Sequence, residues 1–429
     1  RRGDLAHSRR KLRQLDVPLR LRARRNLLWL TGLALLLPAL STALAQAQPP
    51  PVLPQLPPSA PPAVMNAATD AVPSVLPRAQ VALRRRIGVW LTNSPSPLYY
   101  DARRIEQAVA ELASAGFNTL YPNVWSRGTT FHRSSYAPME PTLAQTNPTL
   151  DPICRFAAAA HRRGMQVIPW FEYGLMEPAD AQVVQQNPDW LLQRRDGSTV
   201  MELHGKPMVW LNPAHPAVRR RFIGLASEIV KRCGLDGIQL DDHFAWPVEF
   251  GYDATTRELY RSQTAQDPPD DYTDRAWMRW RRQQLTALLR ELRRTLPSPT
   301  VISLSPGPFR SAYNLWLQDW ELWALGSLID DLVVQNYAYS LAGFARDLNQ
   351  PALVKAKGWG MPVEIGILAG FGGRTPAMAQ LNGKVRLSFE RDYGVIYFYW
   401  EGLWGLHAGP EGGPARRAAF AQLHRGPGS

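Results

Sequence analysis

From Arg86 onward the chain alternates between short unbroken apolar runs and longer stretches in which apolar residues return every three or four positions. Eight runs can be counted, at residues 87–91, 119–124, 167–171, 237–241, 301–305, 332–337, 363–368 and 394–399. Runs of this length read as strands covered on both faces. The periodic stretches between them, such as 102–115, 153–163, 217–231, 276–296 and 315–325, read as amphipathic helices. Strand then helix, eight times over, predicts an α/β fold, a (β/α)8 TIM barrel, across residues 81–410, with 411–429 as a flexible C-terminal tail. The crossovers after the third and fourth strands are long, from about residue 173 to 231 and from 243 to 296. Extra chain at those points predicts walls around a cleft at the C-terminal ends of the strands, where such barrels place their chemistry.

Upstream the pattern is different. Arg22, Arg24 and Arg25 precede an apolar run at residues 27–37, which Pro38 and the small-residue stretch Ala43-Leu44-Ala45 bring to an end before Gln46. Charged, apolar, then small is the layout of a secretory signal, and the apolar part is about half of the ~20 residues a spanning helix needs. Residues 1–45 are therefore predicted to be a basic n-region and signal peptide cleaved after Ala45. The protein is expected to be exported, to a periplasm or to the cell wall and medium; an uncleaved signal would tether it to the membrane, and a cleaved one leaves no stable span. Residues 46–80 are dense in proline, with Pro49, Pro50, Pro51, Pro54, Pro57 and Pro58 in close succession, and predict a disordered extended linker.

Composition sharpens this division. Across 429 residues, 45% hydrophobic and 20% charged excludes wholesale disorder and a multi-span membrane protein. A net charge of +13 suggests a nucleic-acid partner until it is located: residues 1–45 hold +8 of it, leaving only +5 for the rest. No phosphate-tracking stripe is expected, and no nucleic-acid partner. The two cysteines, Cys154 and Cys233, fall at the predicted start of one helix and the end of another. Those positions lie on opposite faces of a barrel, upwards of ~15 Å apart against the ~7 Å a disulfide tolerates, so two separate buried thiols are expected.

Candidate chemistry concentrates in Asp236-Gly237-Ile238-Gln239-Leu240-Asp241-Asp242-His243, where two acids directly follow an apolar strand. Period-two alternation turns Ile238 and Leu240 toward the helices and Gln239 and Asp241 toward the barrel axis. A polar pair facing the axis is unfavourable unless it meets a ligand or a partner. Asp241 and Asp242 are thus candidate catalytic acids, the alternative being a strand-terminal cap or an arginine pair. Glu401, placed on the face of Val395, Tyr397 and Tyr399, and Glu172, in phase with Ile168 and Trp170, are candidates for a second carboxylate. Glycoside cleavage needs two: an acid for the leaving oxygen and a carboxylate that attacks or activates water. Aromatic and amide residues surround the strand ends: Trp90, Asn93, Asn123, Trp125, Trp170, Trp246, Gln335, Asn336, Tyr337, Tyr339, Trp400 and Trp404. Asn212, Gln239 and His243 join them as candidate substrate contacts. Flat apolar faces beside amide donors suit sugar rings, although about half of such residues are expected to be core. No metal-ligand spacing, nucleophile elbow, phosphate loop or dinucleotide fingerprint is present, so neither a cofactor nor a metal is expected.

Five ordered blocks support a resemblance. They are Gly88-Val89-Trp90-Leu91-Thr92-Asn93; Asn118-Thr119-Leu120-Tyr121 leading to Trp125; Gly164-Met165-Gln166-Val167; Trp210-Leu211-Asn212-Pro213-Ala214-His215-Pro216; and the Asp236 to Asp242 stretch. In these the region from about residue 86 to 408 resembles the glycosyl hydrolase-like 10 family of secreted bacterial proteins. The resemblance implies a (β/α)8 barrel acting on glycans, with some relatives that cleave bacterial cell-wall glycan strands. The fourth strand also looks like the chitinase pattern D-x-x-D-x-D-x-E, matching at Asp236 and Asp241 but carrying Gln239 and His243 at two acid positions. The expectation is an exported, monomeric glycoside hydrolase whose partner is a polysaccharide, cell-wall peptidoglycan glycan foremost, with Asp241 as principal carboxylate. The alternative is a glycan-binding wall protein on the same barrel that performs no hydrolysis.

Overall fold

The computed structural model describes residues 85–425 except Pro95, His204 and Gly372. The predicted signal peptide and Pro-rich linker lie outside the described residues. Eight parallel strands make one sheet: β1 Ile87–Leu91, β2 Thr119–Pro122, β3 Gln166–Val167, β4 Gly237–Asp241, β5 Val301–Ser305, β6 Asp331–Gln335, β7 Val363–Leu368 and β8 Gly394–Phe398. Each pairs with its sequence neighbours except β3 with β4, and β1 pairs with β8, so the sheet curls into a nearly closed barrel. The crossovers carry α1 Ala102–Ser114, α2 Pro152–His161, α3 Pro216–Val230, α4 Arg275–Thr295, α5 Trp320–Leu325, α6 Pro351–Gly358 and α7 Met378–Phe389, and α8 Gly413–Arg425 follows β8. Among the described residues no helix is long and apolar enough to cross a membrane.

Closure is weakest between β3 and β4. Pro169 interrupts the predicted strand at 167–171, because it has no N–H to give the ladder, and β3 is reduced to two residues. The seam is completed by a bridge of Trp170 with Gln239 and by Phe171 N donating to Gln239 O at 2.9 Å.

Strand parity divides two cores. Val89, Leu120, Val167, Ile238, Leu240, Leu332, Val334, Ile365, Ile367, Val395 and Tyr397 are buried against the helices. Burial of each is worth roughly 1.5–3 kcal/mol. Trp90, Tyr121, Ile168, Trp170, Val333, Ile396 and Phe398 fill the barrel itself. Gly366 on β7 makes room for them, since a Cβ there would stand 3.1 Å from the Trp90 ring. At the bottom of the barrel Arg86 bonds Asp331 and lies 3.9 Å from Glu364, a buried plug of charges.

Three expectations need correction. Residues 315–325 are not one helix: a helix over Phe309–Leu315 stops, Leu317 takes a left-handed φ of 51°, and α5 restarts where Asp319 caps Leu322 N. The break turns the Gln318 side chain back onto β4, where it donates to the main-chain oxygens of Asp241 at 2.8 Å and Phe244 at 2.9 Å. The segment expected as a flexible tail contains α8, which buries Phe420 and Arg416. Pro414 starts that helix, and Arg416 donates to the main-chain oxygens of Leu403, Ala369 and Gly402, so a stretch that reads as Gly/Pro-rich is docked by its one buried guanidinium. Finally, Cys154 and Cys233 form a disulfide with Cα atoms 5.2 Å apart. The two-face argument fails because the turn after α3 comes to the start of α2, where Cys154 stands. Cys233 is left-handed at φ 57°, and Arg232 pairs with Asp151, the residue that caps Cys154 N.

Candidate active site

An open cavity lies at the C-terminal end of the barrel, lined by the acids Glu172, Asp241 and Asp242, by Arg127, Lys206 and His243, and by the rings of Trp90, Trp170, Tyr173, Tyr337 and Phe398. Ser305, Gln335, Met176, Leu203 and Met208 complete the lining.

Asp241 ends β4 facing the axis, as parity predicts, and is 1% exposed. Trp170 Nε1 donates to it at 3.0 Å and His243 N at 2.9 Å. Burial raises its pKa; His243 opposes the rise and neighbouring Asp242 adds to it. Below it, Trp90 Nε1 donates to Gln239 at 2.6 Å and Gln239 donates to Ser303 Oγ at 2.9 Å, so the polar strand interior is satisfied by a chain of side chains.

His243 Nδ1 lies 2.6 Å from the Glu172 main-chain oxygen. A carbonyl oxygen only accepts, so Nδ1 carries the proton. Burial disfavours the second proton, yet Asp242 and Asp241 outweigh it and hold the imidazole above its ordinary range. Gly174, at φ 48°, permits this contact, since a Cβ there would meet the His243 main chain at 2.5 Å. Asp242 accepts from Gln335 Nε2 at 3.1 Å. Asp241, Asp242 and His243 each place one potential ligating atom within 4.8 Å of the others. Much of that donor capacity is already engaged, by the indole and main-chain N–H groups on Asp241 and by the Glu172 carbonyl on Nδ1. Such occupancy suits proton traffic better than ion ligation.

Glu172 accepts from Asn123 Nδ2 at 2.5 Å and Ser126 Oγ at 3.0 Å. The Arg127 guanidinium, although burial works against its charge, is held charged by Glu172.

The structure therefore brings together Asp241, Asp242, Glu172, His243, Trp90, Trp170, Gln335 and Tyr337 at one cavity, with Asn123 and Gln239 immediately behind. Glu401 does not line it. The face on which Glu401 was counted, that of Val395 and Tyr397, is the helix-facing one, and its carboxylate accepts from Leu406 N at 3.1 Å. Among the other candidates, Trp125 donates to Gly174 O, Asn212 to Asp253 and Thr256, and Asn336 to Phe344 O. Trp246 and Trp404 are core. Asn93 and Trp400 are partly buried away from the lining, and Tyr339 is 68% exposed outside it.

Sequence reasoning missed Arg127, Tyr173, Met176, Leu203, Lys206, Met208, Ser305 and Phe398. Ser305 stands in register with Asp241, so phase alone could have found it. Phe398 ends β8 and Tyr173 follows β3, while Arg127, Met176, Leu203, Lys206 and Met208 stand on a wall whose direction no periodicity encodes: a hairpin at residues 125–130 and a three-stranded antiparallel sheet of Met176–Pro178, Lys206–Trp210 and Met201–Leu203.

Comparison with known proteins agrees with this geometry. A family model described as Glycosyl hydrolase-like 10 matches residues 85–385. Glycosyl hydrolase DigH of Escherichia coli O6:H1 is 25% identical over 275 residues, covering 58% of this chain and 60% of that protein. DigH of strain K12 is 26% identical over 230 residues, 51% of this chain and 48% of its own length. The chain thus spans about half to three fifths of these curated relatives. Among solved structures, the PgaB (BpsB) glycoside hydrolase domain from Bordetella bronchiseptica superposes with a TM-score of 0.60 at 13% identity, covering 80% of this chain and 98% of that one. The β-amylase catalytic domain of Paenibacillus polymyxa gives 0.52 at 10% identity, covering 79% and 97%. These two likenesses are likenesses of fold.

Proposed function

Because the chain belongs to the glycosyl hydrolase-like 10 family, we propose that it is an exported glycoside hydrolase that cuts a bacterial polysaccharide, with peptidoglycan glycan strands as the first candidate, by a two-carboxylate mechanism. The observation that carries this reading is the pairing of a buried acid with a braced one: Asp241, whose proton burial retains, and Asp242, held by Gln335 within 4.8 Å of it. Asp241 gives its proton to the departing glycosidic oxygen, and the Asp242 carboxylate meets the anomeric carbon. Water then releases the sugar as Asp241 takes its proton back.

The aromatic lining, Trp90, Trp170, Tyr173, Tyr337 and Phe398, supports a carbohydrate ligand. The disulfide between Cys154 and Cys233 supports export, since such bonds persist in oxidising compartments. The test is incubation of the purified protein, beside Asp241→Asn, with peptidoglycan and with its peptide-free glycan, followed by mass spectrometry of soluble products. Release by the wild type and its loss by ~10²–10⁴-fold in the variant is expected. Retention on glycan with no release by either protein would replace hydrolysis with binding.

A further inference from the structure

Asp241 and Asp242 leave β4 in a turn that runs to Phe244, closed where Phe244 N donates to Asp241 O at 3.2 Å. Within it His243 N donates to the Asp241 carboxylate at 2.9 Å. On the β3 side the turn is held by His243 Nδ1 on the Glu172 carbonyl. On the β5 side one side chain holds it: Gln318 Nε2 donates to Asp241 O at 2.8 Å and to Phe244 O at 2.9 Å. Both ends of the turn therefore hang on a single amide.

The segment that delivers Gln318 runs as a brace along the chain leaving the turn. Leu315 O accepts from Val248 N at 2.8 Å and Trp316 O from Trp246 N at 3.0 Å. The Trp316 ring lies 5.4 Å from that of Trp210, which lies 6.1 Å from the His243 imidazole. Leu317 is left-handed at φ 51°, a conformation that costs a leucine strain and persists only where surrounding structure enforces it. Gln318 itself is fully buried, and its Oε1 has no hydrogen-bond partner among the described residues. Packing would be served by an apolar residue of the same size, with no orphaned carbonyl. What accounts for an amide here is the pair of bonds it donates.

We propose that Gln318 is a positioning residue for the acid pair. By clamping both ends of the turn it keeps the Asp241 carboxyl against Trp170 Nε1 and the His243 N–H, with Asp242 facing Gln335. This rests on the glycan-cleaving reading and deepens it, since Gln318 does not line the cavity and acts on the reaction only through the main chain of the acids. A displacement of about 1 Å between reacting groups costs on the order of 10²-fold in rate, so the clamp should be felt in kcat and not in KM.

The test compares three variants of the full chain. Gln318→Met keeps the length of the side chain and removes both donors; Gln318→Asn keeps an amide on a shorter arm. Tyr397→Phe, which removes the buried bond to His424 on the helix side of β8, is the structural control. Each is read by kinetics on peptide-free peptidoglycan oligomers, by calorimetric melts, and by an NMR titration of the Asp241 carboxyl carbon. Gln318→Met is expected to lower kcat by about 10–10²-fold with KM within about twofold of wild type. Its Asp241 carboxyl should titrate at higher pH, because the Gln318 donors and the His243 N–H both favour the charged form. Gln318→Asn should fall between this variant and the wild type, and it supplies the same readouts if the methionine variant does not fold. Tyr397→Phe should lower the melt while leaving kcat and the titration as they are. Unchanged kcat and an unmoved Asp241 titration in a folded Gln318 variant would overturn the role, and so would an equal loss of kcat in Tyr397→Phe. Should the wild type release no glycan, hydrolysis fails as a reading, and the Asp241 titration alone then decides whether Gln318 positions the acid.

Discussion

His243 donates its Nδ1 proton to the main-chain oxygen of Glu172 at 2.6 Å, tying the segment after β3 to the end of β4 across the weakest seam of the barrel. The same imidazole stands 3.5 Å from the Asp241 carboxylate. It therefore holds the seam shut and tunes the acid, and the tuning has a testable sign. Burial raises the Asp241 pKa and His243 counters the rise. With Asp241 as the proton donor of the proposed mechanism, kcat/KM should fall as pH rises through that raised pKa. In His243→Gln the countering charge is gone, Asp241 keeps its proton to higher pH, and the alkaline limb should move upward. Paired pH profiles of the two proteins decide it; an alkaline limb shifted downward would remove Asp241 from the role of acid.

The four acids separate by what their oxygens touch. Asp242→Asn should lower kcat by about 10²–10⁴-fold with an unchanged melt, because Gln335 can still bond the amide oxygen. Glu172→Gln removes the acceptor of Asn123 and Ser126 and the charge beside Arg127, so both turnover and the melt should drop. Glu401→Gln weakens only the bond from Leu406 N, worth about 1 kcal/mol, and should retain wild-type turnover. Kinetics and calorimetric melts of the three variants check the ranking. Loss of turnover in Glu401→Gln with the other two active would reverse it.

How much of this was legible follows from what a strand encodes. Side-chain parity in β4 placed Asp241 on the axis and Leu240 on the helices, and both stand there. Parity misassigned Glu401 because the phase was counted from Val395 and Tyr397, which are as apolar as the inward Ile396 and Phe398; a strand buried on both faces carries no sign of which is which. The cleft wall was legible as length in the third crossover but not as residues. Arg127 and Lys206 reach the cavity through a hairpin and a small antiparallel sheet that approach each other at Gly128 and Glu177, a contact no periodicity encodes. The disulfide was missed for a related reason, since the turn after α3 meets the start of α2 through contacts such as Arg232 with Asp151, which position along a helix does not encode.

That disulfide spans 79 residues and links the second crossover to the third. Closing a loop of this length removes denatured-state entropy worth about 4 kcal/mol on the chain-entropy account. Reduction, or the Cys154→Ser and Cys233→Ser double variant, should lower the melting temperature by several degrees and increase hydrogen exchange first in α2 and the turn after α3. Exchange confined to distant helices would mean that the Asp151–Arg232 pair, and not the sulfur bridge, holds this corner.

The docking of α8 should depend on pH. His424 Nδ1 faces the Ala115 carbonyl at 2.7 Å and must donate to it, which leaves Nε2 to accept from the Tyr397 hydroxyl at 2.9 Å. Burial pushes the His424 pKa down to about 4, against an opposing pull from the Ala115 carbonyl. An unfolded imidazole titrates near 6.5, so between about pH 6.5 and 4 the unfolded chain binds more protons than the folded one, and stability falls with acidification across that window. Protonation at Nε2 also turns the acceptor of Tyr397 into a donor. The expected outcome is a melt that loses on the order of 2 kcal/mol from pH 7 to pH 4.5, with exchange rising first in Gly413–Arg425. His424→Gln keeps one donor and one acceptor without titrating and should lose most of this slope. An unchanged slope would assign the acid sensitivity to other groups.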